Sequence, residues 1–120
     1  VLVSVRGNEV EWTRGEPAWF ASSNAARRGF CRACGTPLAY AAPDGMSLSL
    51  VAFDDPESFP PTVAWGVEAK LSWCDGVPAL PQHHTMDDDE ASDFLAGLVN
   101  HQHPDHDTET WPVPPEEPSR

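Results

Sequence analysis

"RRGFCRACGTPLAY", Arg27 to Tyr40, sets two cysteines three positions apart between two strand-like runs. A Cys-x-x-Cys turn followed by glycine places both thiolates on one side of a tight loop, within reach of a single ion. Gly35 frees the backbone there, so that N–H groups can point at sulfur. Arg27, Arg28 and Arg32 surround the pair and offset the negative charge that thiolates bring. Three readings of Cys31 and Cys34 compete: a metal knuckle, a redox pair, or two half-buried free thiols. A redox pair wants its first cysteine at a helix N-terminus after a βαβ pattern. Here the pair lies between strands and Gly-Thr-Pro follows, which favours the metal knuckle. A knuckle supplies only two of the four ligands that zinc takes.

Upstream, "VLVSV" (Val1–Val5) alternates with period two, and "EVEW" sets Val10 and Trp12 between acids. With "AWFAS" after the Thr13–Pro17 turn, this predicts a β-meander with short links. Downstream, "PLAYAA" leads to the turn Pro43–Gly45 and then to "MSLSLVAF" (Met46–Phe53), with Met46, Leu48 and Leu50 on one face. Asp54 and Asp55 before Pro56 predict a turn or a short helical turn, and that role outweighs an acid/base one. "TVAWGVEAK" resumes a strand-like run before the loop "LSWCDGVPALP". Trp12, Trp19, Trp65 and Trp73 are expected as core aromatics.

One amphipathic helix is predicted within residues 86–100, from Asp88 or Asp89 to about Asn100. Ala91, Phe94, Leu95, Leu98 and Val99 share one face, and the acids Asp87–Glu90 complement its N-terminus. The tail, residues 101–120, is acidic and proline-rich and is expected to be disordered or loosely draped. The expected organisation is a mainly β domain over residues 1–85, the helix over 86–100, and the tail.

Charge is uneven. Residues 1–80 carry nine acids against six bases, whereas residues 81–120 carry ten acids against Arg120 alone. The net charge of −12 disfavours nucleic acid, whose phosphates would be repelled. No apolar run approaches a membrane span and no signal peptide is visible, and three cysteines make no secreted disulfide framework. A cytoplasmic location is the default expectation. The chain opens on Val1, inside a strand-like run, as a fragment or a truncated gene model would.

Other candidate ligands are weaker. Cys74 is a lone loop cysteine, and His83 and His84 are adjacent and point apart. His101, His103 and His106 resemble a metal cluster by composition, but in this tail they are expected to titrate in solvent.

Taken in order, "WTRGEPAWFASSNAARRGFCRACGTPLAY", "VAFDDPESFPPTVAWGVEAKLSW" and "DGVPALP" resemble the glutathione-dependent formaldehyde-activating enzyme family, which includes centromere protein V. The resemblance covers about Val1 to Pro81. It implies a β-tent fold of antiparallel sheets pinned by zinc, with Cys31 and Cys34 as half of a structural site. It implies that the other two structural ligands, and the Cys-x-Cys-x-x-Cys of a second, catalytic zinc, lie upstream of the first strand. No catalytic ligand therefore carries over to this chain. The implied activity is that of a zinc-dependent carbon–sulfur lyase acting on a small thiol adduct such as S-hydroxymethylglutathione. Arg28 matches a family arginine that could contact a substrate carboxylate or steady the knuckle. The expected partner is a small thiol such as glutathione, with a homodimer through the C-terminal helix as a further possibility. The competing expectation is a non-catalytic zinc-binding or interaction module of the same fold.

Overall fold

The structure is a computed structural model that describes residues 1–6, 9–89, 92–104 and 106–111. The chain divides into two units, Val1–Pro61 with Gln102–Arg120, and Thr62–His101, so the break falls inside the expected 1–85 span.

The first unit is built on a five-stranded antiparallel sheet, in agreement with a mainly β chain. Its strands are β1 (Leu2–Val5), β2 (Ala18–Ala21), β3 (Arg27–Phe30), β4 (Pro37–Ala42) and β5 (Gly45–Ser49), in the order β1-β5-β4-β3-β2. β2 to β5 form the meander, and β1 pairs with β5 at the far edge, Val3 opposite Leu48. The predicted meander step through "EVEW" is absent: Val10 and Trp12 lie on the link that carries the chain from one edge to the other. Alternation alone could not show that the first strand would pair with the fifth.

Each turn has a local cause. Between β2 and β3, the Ser23 hydroxyl accepts hydrogen bonds from the Ala25 and Ala26 N–H groups at 3.1 and 3.0 Å. This is a serine side chain standing in for a backbone turn. Between β4 and β5 only Pro43 and Asp44 intervene, and Gly45 follows at φ +146°, which a side chain would disfavour. β5 ends at Ser49, where Leu50–Ala52 turns into a 3-10 segment. Pro56–Ser58 forms another, opened by Asp55 and Pro56, with Ser58 Oγ donating to the Asp55 carboxylate. The helical-turn reading of Asp-Asp-Pro therefore holds.

Period-two alternation sorts the sheet into two faces. Register places Val3, Leu48, Ala39, Gly29 and Trp19 in one row across all five strands, with Val5, Met46 and Ala41 beside them. The opposite face carries Ser4, Ser47, Tyr40, Arg28 and Phe20 in a second row. On the first face the Trp19 ring lies over Gly29, and Arg27 caps that ring at 4.3 Å from its centroid. The aromatic covers a strand glycine that could pack nothing itself. Four described residues are buried: Pro17, Gly29, Ala39 and Ser49.

The second unit contains no strand among its described residues. "TVAWGVEAK" forms no strand and instead turns into a 3-10 segment at Val67–Ala69. Further 3-10 segments lie at Cys74–Ala79 and Thr85–Asp87, and one helix, α1, spans Ser92–Ala96. The helix expected to reach Asn100 thus stops at Gly97, the residue least able to hold helical backbone in its path. Its predicted apolar face is only partly covered: Leu95 is half-buried, Phe94, Leu98 and Val99 are exposed, and Ala91 lies outside the described residues. The tryptophan expectation also needs correction, since Trp65 is 88% and Trp73 63% exposed, and Trp12 is exposed too. Of the four named, Trp19 alone packs on the sheet. No described helix is long and apolar enough to cross a membrane.

A Cβ on Gly29 would meet the Trp19 ring at 3.0 Å and the Ala39 methyl at 3.3 Å. Gly29→Val should therefore destabilise the sheet by about 1–3 kcal/mol, the usual cost of overpacking. Urea unfolding followed by tryptophan fluorescence checks this, and an unchanged midpoint would refute the Trp19–Gly29 packing.

Candidate metal centre

The six residues Cys31–Thr36 form the loop between β3 and β4, so the cysteine motif is the tip of a hairpin. The Cys31 N–H donates to the Thr36 carbonyl at 2.9 Å, and the Gly35 N–H donates to the Cys31 carbonyl at 2.8 Å. Gly35 takes φ +79°, a left-handed conformation that costs a side-chain-bearing residue about 1–2 kcal/mol. A bulge between Gly29 and Phe30 adjusts the register where β3 enters the loop.

This loop brings Cys31 and Cys34 together. The Cys34 Sγ lies 3.1 Å from the Thr36 hydroxyl. That hydroxyl holds the Cys34 thiol below its ordinary pKa, with help from the Thr36 N–H and the Cys31 thiol, while partial burial opposes the shift. Both cysteines are half-buried, whereas Arg32, Ala33 and Gly35 between and beside them are exposed. Two sulfur donors on one turn, one of them biased towards thiolate, fit half of a tetrahedral thiolate site. Among the described residues no group of three or more His, Cys, Asp or Glu side chains is assembled.

Arg28 projects from β3 on the second face of the sheet, its guanidinium 5.1 Å from the Tyr40 ring centroid across the strand pair. It lines a hollow of about 390 Å³ with Leu2, Phe20, Phe30 and Tyr40, and Gly35 and Pro37 of the hairpin form part of its wall. The hollow is largely apolar and holds one cation. Sequence reasoning singled out Arg28 but not Phe20 or Phe30; the signal was the pairing register, which sets Phe20 opposite Arg28 and Arg28 opposite Tyr40. A larger concavity of about 680 Å³ lies at the β1 edge, lined by Ser4, Arg6, Glu9 and Glu11 among others. None of its lining belongs to the cysteine hairpin, and its Arg6 is paired with Glu9, so the smaller hollow, walled in part by Gly35 and Pro37, is the better candidate.

The histidine cluster does not form a ligand set. His103 Nδ1 donates to the Pro104 carbonyl at 2.6 Å, and its Nε2 lies 3.1 Å from the Thr108 hydroxyl. Arg14 also binds the Thr108 hydroxyl at 2.6 Å and pairs with Asp107. The described part of the tail is thus draped rather than free, while residues 112–120 lie outside the described residues. Cys74 is a half-buried thiol in a 3-10 segment, and Asp54 and Asp55 are turn residues. No family model, curated protein or solved structure matches the chain.

Removing the Thr36 hydroxyl withdraws the main donor to Cys34. In metal-free protein, Thr36→Val should move the pH midpoint of Cys34 alkylation upward and slow the reaction at neutral pH. Peptide-resolved iodoacetamide kinetics measure this, and identical pH profiles would show that Thr36 does not tune the thiol.

Proposed function

We propose that the chain carries the Cys31–Cys34 half of a structural zinc site in a carbon–sulfur lyase of the formaldehyde-activating type. In that chemistry a small thiol adds to an aldehyde: the sulfur–carbon bond forms, the carbonyl π bond breaks, and the thiol proton passes to the new hydroxyl. Zinc, when bound at a catalytic centre, would lower the thiol's pKa or polarise the aldehyde.

The observation that carries the reading is the hairpin itself, which presents both sulfurs on one turn beside an apolar hollow holding Arg28. A glutathione-like thiol has carboxylates for a guanidinium and methylene groups for an apolar wall. Arg28, spread over Tyr40, can meet a carboxylate with two parallel N–H bonds while Phe20 and Phe30 exclude water. Cys31 and Cys34 have the architectural role of pinning the β3–β4 turn.

The competing reading is a non-catalytic zinc module of the same fold. On either reading these 120 residues should not form S-hydroxymethylglutathione by themselves, even with zinc supplied. Turnover above the uncatalysed rate would overturn that. Amide chemical shifts separate the two readings: glutathione should perturb Phe20, Arg28 and Tyr40 in the enzyme-derived case. Arg28→Ala should then weaken binding about 10-fold, the loss of one charge-assisted contact. Silence at those residues favours the module.

A further inference from the structure

We propose that the hollow around Arg28 selects an apolar monocarboxylate, so that the thiol taken here is a mercapto acid with an aryl skeleton in preference to a peptide thiol. The inference rests on the lyase reading above and names the substrate class of that same site.

Register builds the recognition element. Phe20, Arg28 and Tyr40 stand opposite one another on β2, β3 and β4, so one guanidinium-bearing residue lies between two aromatic ones in a single cross-strand row. The Arg28 guanidinium lies over the Tyr40 ring, 5.1 Å from its centroid. A contact of this kind occupies a face of the planar group and leaves its N–H edge for the two parallel bonds that a carboxylate takes. Among the described residues no carboxylate pairs with Arg28. The positive charge is therefore available to a ligand anion.

The walls decide what that anion is attached to. Phe20, Phe30, Tyr40, Leu2 and Pro37 line this hollow of about 390 Å³. Phe20 is 64% and Leu2 54% exposed, so a ligand lying here takes water-facing apolar surface out of water. An aryl ring gains from that contact twice, by burial and by edge or offset stacking on the aromatic rings. Glutathione gains less. Its two peptide groups and its ammonium would give up water against carbon, and an unpaired polar group is costly to desolvate. The stretch that supplies β2, β3 and β4, between Glu16 and Asp44, contains no acidic residue to receive an ammonium. Charge and surface together favour one carboxylate on an apolar skeleton.

The test titrates the full 120-residue chain, reduced and with chelator, and follows amide chemical shifts. The probes are phenylacetate, 4-mercaptophenylacetate, glutathione and benzylamine. Both aryl acids should shift Phe20, Arg28 and Tyr40 and bind about 10-fold more tightly than glutathione. Benzylamine, the same skeleton with an ammonium in place of the carboxylate, should leave those residues unmoved. Arg28→Ala should remove most of the aryl-acid affinity. Phe20→Ala, at an exposed position, should weaken the aryl acids several-fold and leave glutathione unchanged. Glutathione binding in the hollow as tightly as phenylacetate would overturn the inference and leave the lyase reading standing. Aryl acids binding while glutathione stays silent would uphold the inference and remove glutathione as the thiol of that reading. Silence from every probe, benzylamine binding as well as phenylacetate, or Phe20→Ala weakening all ligands alike would each overturn the inference.

Discussion

The hydrogen bond from the Cys31 N–H to the Thr36 carbonyl, at 2.9 Å, carries the β3–β4 ladder one step beyond Phe30 and closes the loop on which both sulfurs sit. Much else in the sheet follows from that closure. It fixes which residues of β3 face which of β4, and so sets Arg28 opposite Tyr40 and Gly29 opposite Ala39. Because side chains alternate, a slip of one residue would move Arg28 to the face that Trp19 occupies and empty the hollow of its cation. Gly35, with its left-handed backbone, lets six residues make the turn and still aim two thiols the same way.

The sheet has little beneath it to resist such a slip. No large side chain is fully buried among the described residues, and the buried ones, Pro17, Gly29, Ala39 and Ser49, are all small. Cohesion comes instead from the ladders, from Trp19 lying over Gly29, and from arginine–aromatic contacts on both faces. Such pairs contribute about 0.5–1 kcal/mol each at exposed sites. A structural zinc contributes on the order of 10 kcal/mol in small peptide sites, comparable to the whole stability of a typical domain. In a sheet this thin, a metal at the hairpin tip would weigh more than any packing contact described.

What the residues disclose by themselves is what is local. "PLAYAA" and "MSLS" read as strands because period-two alternation and the Pro-Asp-Gly turn between them agree. The cysteine loop reads as a turn because Gly35 follows the second cysteine. "EVEW" and "TVAWGVEAK" alternate equally well and form no strand, because alternation shows which residues could share a face and not whether a segment joins a sheet edge. The pairing of β1 with β5 joins residues from opposite ends of the sheet-forming segment, and no short pattern encodes it. The hollow is hidden for the same reason, since Phe20, Arg28 and Tyr40 meet only through register. The helix over 86–100 fails differently. Its apolar spacing is sound, but Gly97 interrupts it, and helices of so few turns hold only when their apolar face is covered.

Thr36 links the cysteine loop to the chain's acidic tail, and its single proton makes the two contacts exclusive as donations. Its hydroxyl lies 3.1 Å from Cys34 Sγ and 3.3 Å from Gln102 Oε1. If it donates to Gln102, Cys34 must be the donor to it, and so must keep its proton. If Cys34 is a thiolate, sulfur is the stronger acceptor, and the hydroxyl turns towards it. The protonation state of one cysteine thus decides which way the Thr36 hydroxyl points, and with it whether Gln102 receives that hydrogen bond. Arg14, bound to Asp107 and Thr108, holds the same tail segment by contacts that do not depend on the cysteine. The tail can therefore stay attached through Arg14 while its contact at the hairpin responds to the chemistry of the sulfur.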